Sequence, residues 1–233
     1  MRQKGVDYMK FYINNDEYNF SEEELNDTLL SNAGTEGTVY KIGDRAVKIY
    51  KPFCLKNRLD ESTAKLLSTI KTNRILMPRE LVYDSKRNFC GYTTKYIESS
   101  NKDNIKRFKM KKLLDEIKLY EEDMVKLSDH NISLCDFDIF NTEYSDGIYF
   151  CDPGSFELED KDNRFFKALN EDEIKSFFIY SIMSRFSDLN KKSSSKLYNH
   201  FSYDSYLSDM IKSEDYEENE TMVHFVKKLV NKR

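Results

Sequence analysis

The chain has 233 residues, 39% hydrophobic and 33% charged, which is enough apolar material to bury a core and too much for a disordered chain. Lys and Arg total 37 against 41 Asp and Glu, so the net charge of −4 gives no footing for nonspecific nucleic-acid binding. No apolar run approaches the roughly 20 residues of a membrane span, and the opening MRQKGVDYMKFY does not read as a signal peptide.

In chain order, MKFYINNDEYNF reads first, as an edge strand. Only seven Gly and three Pro occur, so their positions carry information. Gly34, Gly37 and Gly43 cluster in NAGTEGTVYKIGDRAVKIYK, where GTVYKI and RAVKIY read as two strands joined at Gly43-Asp44. Within LKNRLDESTAKLLSTIKTN, the residues Leu59, Thr63, Leu66, Leu67 and Ile70 fall at helical spacing. RELVYDSKRNFCGYTTKYIE predicts two further strands about a polar turn at Asp84 to Asn88. Residues 1–98 are therefore expected to form a β-rich domain with one helix, followed by a linker, SSNKDN, at 99–104.

Residues 105–233 change character. Leu113, Ile117, Tyr120, Met124 and Leu127 recur every three or four residues and predict an amphipathic helix that ends near Asp129. The basic run KRFKMKK is read as solvated helix face. NEDEIKSFFIYSIMSRF predicts a second helix with Asn170 and Glu173 as its capping pair, KKSSSK a loop, and TMVHFVKKLV a closing helix. His130, His200 and His224 share no ligand spacing. Cys54, Cys90, Cys135 and Cys151 show no CxxC pattern, so reduced thiols in the cytoplasm are expected rather than disulfides or zinc.

The stretch CDFDIFNTEYSDGIYFCDPGSF interleaves Asp136, Asp138, Asn141 and Asp152 with aromatics. A core segment does not tolerate unpaired acids, and a surface loop does not need so much apolar material. The pattern predicts a cleft floor, with apolar anchors beneath and acids holding a cation. Asp146-Gly147 suits a two-residue type I′ turn, and a hairpin about it would bring Asn141 and Asp152 together at its open end. An amide oxygen and a carboxylate there make a seat for Mg²⁺ together with the phosphates of a nucleotide. Asp138 reads as a loop or N-cap acid.

With these residues in place, the sequence resembles the protein-kinase superfamily over roughly residues 30–186. Gly34 and Gly37 fill two positions of the family's glycine loop, Asn32 stands where its first glycine would be, and Val39 follows at the family's spacing. Ala46 and Lys48 form the A-x-K strand, Asp136 and Asn141 the D-x-x-x-x-N loop, and Asp152 with Gly154 the D-x-G metal loop. The resemblance implies a two-lobed α+β fold, with a small antiparallel β lobe carrying one helix and a mainly helical large lobe over 105–233. It also implies ATP and Mg²⁺ as cofactors. Lys48 would hold the α- and β-phosphates, oriented by a helix acid for which Glu61 is the best match and neighbouring Asp60 the alternative. Asp136 would be the base, and Asn141 and Asp152 the metal ligands. The acceptor would be a hydroxyl, of a protein Ser or Thr rather than of a small molecule. An aminoglycoside- or choline-type small-molecule kinase and a nucleotide-binding pseudokinase are the alternatives.

The sequence departs from the family pattern at four points. Leu134 and Cys135 replace the His-Arg before the base, Asp138 replaces a Lys that contacts the γ-phosphate, and Pro153 replaces the Phe of the metal loop. Without that Arg, and with Ser155 the lone hydroxyl residue between 155 and 170, control by a phosphorylated loop is not expected.

Overall fold

The computed structural model describes residues 8–53, 58–158, 163–201 and 205–231. The fold is mixed α+β and divides into two compact units. The first takes Met1–Lys71, Leu76–Ile97 and Pro153–Ser155, and the second Thr72–Ile75, Glu98–Asp152 and Phe156–Arg233. Among the described residues no helix is long and apolar enough to cross a membrane.

The first unit is built on seven strands: β1 (Tyr8–Ile13), β2 (Asp16–Ser21), β3 (Leu29–Ser31), β4 (Gly37–Ile42), β5 (Arg45–Tyr50), β6 (Glu80–Asp84) and β7 (Phe89–Lys95). They form one sheet in the order β2-β1-β6-β7-β5-β4-β3, antiparallel throughout. The turn at Gly43-Asp44 joins β4 to β5 in register, and Gly43 takes φ +63, which glycine adopts at little cost. The Asp84–Asn88 turn forms as expected, with the Asp84 carboxylate accepting from the amides of Lys86 and Asn88. The segment expected as an edge strand is instead a whole hairpin, β1–β2, whose inner strand β1 also pairs β6. Phe11, Ile13, Val47, Ile49 and Val82 close the core on one sheet face, flanked by Tyr18, Phe20 and Tyr40. A short helix α1 (Glu22–Asp27), capped by Ser21 and Glu24, links β2 to β3.

Helix α2 (Glu61–Leu67) is the predicted helix; the first residues of its sequence segment, 55–57, lie outside the described residues. Asp60 caps it, accepting from the Thr63 amide at 2.9 Å and from the hydroxyls of Ser62 and Thr63.

In the second unit, α3 (Met110–Ser128) buries Leu113, Ile117, Tyr120, Met124 and Leu127, the predicted stripe. Three short β-pieces follow, β8 (Ile132–Ser133), β9 (Thr142–Tyr144) and β10 (Ile148–Phe150), and then β11 (Glu157–Leu158), which pairs with β8. Helix α4 (Asn163–Ser176) starts well before Asn170, so Asn170 is interior and fully buried rather than a cap. It runs on into a π-helical stretch over Phe177–Ser184. The chain expected as a loop at KKSSSK is α5 (Lys191–His200), because Asn190 caps it and Ser194 and Leu197 are buried beneath it. Helices α6 (Leu207–Lys212) and α7 (Met222–Asn231) complete the unit, α7 where a closing helix was expected. The linker sequence 99–104 leads into a 3₁₀ helix, Lys102–Arg107, capped by Asn101. Cys90, Cys135 and Cys151 are free thiols, and Cys54 lies outside the described residues.

The Asp60 cap makes a pH-dependent prediction. Hydrogen bonds from Ser62 and Thr63 hold its carboxyl at about 2, below the ordinary value of 3.8. Asp60→Ala is expected to lower stability by about 1 kcal/mol at neutral pH. A depressed acid stabilises the fold above its unfolded pKa, so the difference between wild type and variant should fade as pH falls from about 4 through about 2. Urea midpoints of both proteins across that range test it.

Candidate active site

Asp136, Asp138 and Asp152 lie on a chain segment anchored by aromatic rings. Phe137 stacks on Phe150 with centroids 4.2 Å apart and planes 8° from parallel, and Phe156 stacks on Phe150 at 5.6 Å. Tyr120, Phe177 and Phe178 pack edge-on or tilted around them. Phe137 points down into this cluster, which leaves its neighbours Asp136 and Asp138 on the other side of the chain. Asp136 is exposed, while Asp138, Asn141 and Asp152 are half-buried.

Asp136 adopts φ +59, a left-handed conformation that few residues other than glycine take, Asp among them. The Asn141 side-chain amide holds it there, donating to the Asp136 carbonyl at 3.0 Å and to its carboxylate at 3.1 Å. Asp138 accepts from the Phe140 amide at 2.9 Å and so caps the 3₁₀ turn Ile139–Asn141. With Asn141 Nδ2 committed to Asp136, its amide oxygen is the atom left to bind a cation.

The predicted hairpin forms from β9 and β10, with one difference in register. Tyr144 pairs with Ile148, so the loop is three residues, Ser145 to Gly147, closed by the Ser145 amide on the Gly147 carbonyl at 3.0 Å. Neither Asp146 nor Gly147 has positive φ, so the turn is not type I′. The odd loop puts Asn141 opposite Cys151, whose amide donates to the Asn141 carbonyl at 2.8 Å, and Asp152 follows one residue on. Asn141 and the residue before Asp152 therefore do meet at the hairpin mouth. Burial pushes the Cys151 thiol up to about 12 and raises that of Cys135, so the thiols beside Asp152 and Asp136 stay protonated.

Asn170 is a residue that sequence reasoning misread. Its side-chain oxygen accepts from the Leu134 amide at 2.8 Å, and its nitrogen donates to the Ile132 carbonyl at 2.8 Å and Ser128 Oγ at 3.0 Å. The strand leading to Asp136 is thus fixed from α4. The available signal was a polar residue on the apolar face of a long helix. Leu134 is itself buried, and the Cys135 thiol lies 3.8 Å from Ser133 Oγ, so the two residues before Asp136 pack against the protein.

In the first unit, Lys48 lies on β5 between Val39 of β4 and Tyr92 of β7. Its Nζ is 2.7 Å from Glu36 and 5.9 Å from the Tyr92 ring centre. Both ion-pair side chains are largely buried, at 10% and 16% exposed. Glu61 makes a different contact. α2 begins at Glu61, and its carboxylate accepts from Tyr83 Oη at 2.9 Å, while the capping Asp60 is used by its own helix. Glu36, in the glycine segment, is an acid that reaches Lys48. Ala46 sits on β5 across from Lys41 and Thr94.

The glycine segment is pinned by Lys51, which donates to the carbonyls of Gly34 at 2.7 Å and Asn32 at 3.1 Å. Asn32 also accepts from the Thr38 hydroxyl at 3.0 Å. A Cβ on Gly37 would lie 2.8 Å from the Ile49 carbonyl and 3.2 Å from Lys48 Cγ, so only glycine lets β4 lie this close to the Lys48 stem.

Among the described residues no cluster of three or more His, Cys, Asp or Glu has the arrangement of a metal cage. The donors at the hairpin mouth, one amide oxygen and one carboxylate, suit Mg²⁺ bound jointly with a phosphate ligand.

Replacing Asn170 by Ala would strand the Leu134 amide and the Ile132 carbonyl in a dry interior. The expected loss of stability is about 1–3 kcal/mol for the buried groups left unpaired. Chemical denaturation of Asn170→Ala against wild type measures it.

No protein-family model matches the chain, and no match to a curated protein was found.

Proposed function

We propose that the chain is an ATP- and Mg²⁺-dependent phosphotransferase of the protein-kinase-like type, moving the γ-phosphate to a hydroxyl acceptor, with Ser or Thr of a protein as the leading acceptor. On this reading the two units correspond to the small and large lobes of that fold. The observation that carries the proposal is the clamp of Asn141 on Asp136 at the mouth of the β9–β10 hairpin, which puts the residues read as base and metal ligand on one loop, with Asp152 one residue past Cys151 at the same mouth. Lys48 would hold nucleotide phosphates, and the loop pinned by Lys51 would cover them. Asp136, fixed by the Asn141 amide, would orient the acceptor hydroxyl and take its proton. The Asn141 amide oxygen and the Asp152 carboxylate would hold Mg²⁺, which when bound would supply positive charge against the phosphates.

A small-molecule acceptor is favoured by one feature. Only Phe156 to Asp162 separate the Pro153–Ser155 turn from α4, which leaves little chain to build a docking platform for a peptide. Incubation with labelled ATP and either protein or metabolite mixtures separates the two acceptors.

Two outcomes test the reading. Mg²⁺ with ATP is expected to raise the melting temperature of the wild type, and Asp136→Asn to keep that shift while losing about 10²–10⁴ in transfer rate. A shift with no transfer by the wild type would make the protein a nucleotide-binding pseudokinase, and no shift would defeat the proposal. Glu36 competes with phosphate for Lys48, so Glu36→Gln should tighten ATP binding about fivefold, the equivalent of an ion pair worth about 1 kcal/mol. Titration calorimetry of the two proteins reads this directly.

A further inference from the structure

One cation near the catalytic loop is absorbed by none of the roles above. Lys102 opens the 3₁₀ helix Lys102–Arg107, and its Nζ donates to the carbonyl of Ile139 at 3.3 Å and closely to that of Thr142. These two carbonyls bracket Asn141. Ile139 begins the 3₁₀ turn that Asn141 ends, and Thr142 begins β9. The Thr142 hydroxyl donates to the same Ile139 carbonyl at 2.7 Å, so the turn is closed from two sides.

A buried-side cap on two carbonyls needs only a donor, and an amide or hydroxyl would serve. A full positive charge does more. Asp136, Asp138 and Glu143 lie on the chain within three residues of this turn, and Asp152 follows Cys151, which is bonded to Asn141 across the hairpin, so bringing these acids together costs repulsion. The Lys102 ammonium, bonded to the Ile139 and Thr142 carbonyls, sets a positive charge directly against this turn. A charged donor to a carbonyl also makes a stronger hydrogen bond than a neutral one.

We propose that Lys102 is a positioning residue for the metal-binding end of the hairpin: by bridging the carbonyls on either side of Asn141, it holds that residue in its ligand geometry before the cation arrives. This rests on the phosphotransferase reading for what the cation does, but its geometry is that of the protein alone. Residues that orient metal ligands from behind carry about 10- to 100-fold in metal affinity, and Lys102 belongs to that class.

The test is Mn²⁺ titration of the full chain in the presence of a non-hydrolysable ATP analogue, followed by electron paramagnetic resonance, with amide hydrogen exchange at Thr142 and Cys151 in the metal-free protein. Lys102→Met is expected to weaken Mn²⁺ binding about 10-fold or more and to speed exchange at both amides. Lys102→Arg should restore most of both, and nucleotide affinity without metal should change little. Should Lys102→Met fail to fold, Lys102→Leu, which also removes the donor, is read the same way. Wild-type Mn²⁺ affinity in the folded variant, whether Met or Leu, overturns the inference and leaves the phosphotransferase reading standing. Failure of the wild type to bind Mn²⁺ with the analogue overturns that reading instead, while faster exchange in the variant would still support the bridge.

Discussion

The stacking of Phe137 on Phe150 is the contact on which the rest of the candidate loop depends. A chain carrying acids at 136, 138 and 152 has no reason to fold back upon itself, because each carboxylate prefers water and repels the next. Burial of two phenyl rings face to face, with Phe156 and Tyr120 around them, supplies the apolar gain that offsets this. It also sets direction. Because Phe137 is committed downward, the residues on either side of it are turned away from the core.

Rings alone fix depth but not shape, since a stacked pair tolerates sliding and rotation. Polar contacts remove that freedom. Asn170 holds the chain entering the loop, Asn141 holds Asp136 in its left-handed conformation, and the Cys151 amide holds Asn141 across the hairpin. The Asn170 contact satisfies a buried amide that would otherwise be stranded in a dry interior, so it is costly to lose even though its net gain is small.

Much of this was legible in the sequence, and the gaps have physical causes. The antiparallel strands, the turn at Gly43-Asp44, the stripe of α3 and the meeting of Asn141 with the far side of its hairpin followed from alternation, spacing and turn chemistry. The hairpin register was off by one because Ser145 bonds to Gly147 and adds a residue to the loop, which Asp-Gly statistics do not reveal. KKSSSK read as a loop by composition, yet burial of Ser194 and Leu197 and capping by Asn190 outweigh weak helix propensity. Asn170 followed by Glu173 has the look of a cap, and only the helix's earlier start turns it into a buried anchor. The Glu36 pairing was invisible because it runs between strands, whereas the choice between Asp60 and Glu61 turned on where α2 begins.

The departures from the family pattern then fit one picture. On the phosphotransferase reading, where the family pattern has a charged His-Arg pair, Leu134 supports the loop by burial, Cys135 is half-buried, and the work of fixing its backbone falls to Asn170 in α4. An anchor of this kind is constitutive, since a buried amide with three partners has no second state to switch to and carries no charge for a phosphate to engage. What remains adjustable is electrostatic. Glu36 already occupies Lys48, so any anion that engages this lysine must compete with a carboxylate supplied by the glycine segment itself. On the phosphotransferase reading, control would then lie in the competition between this carboxylate and nucleotide phosphate for one ammonium, a balance set by local charge and not by a modified loop.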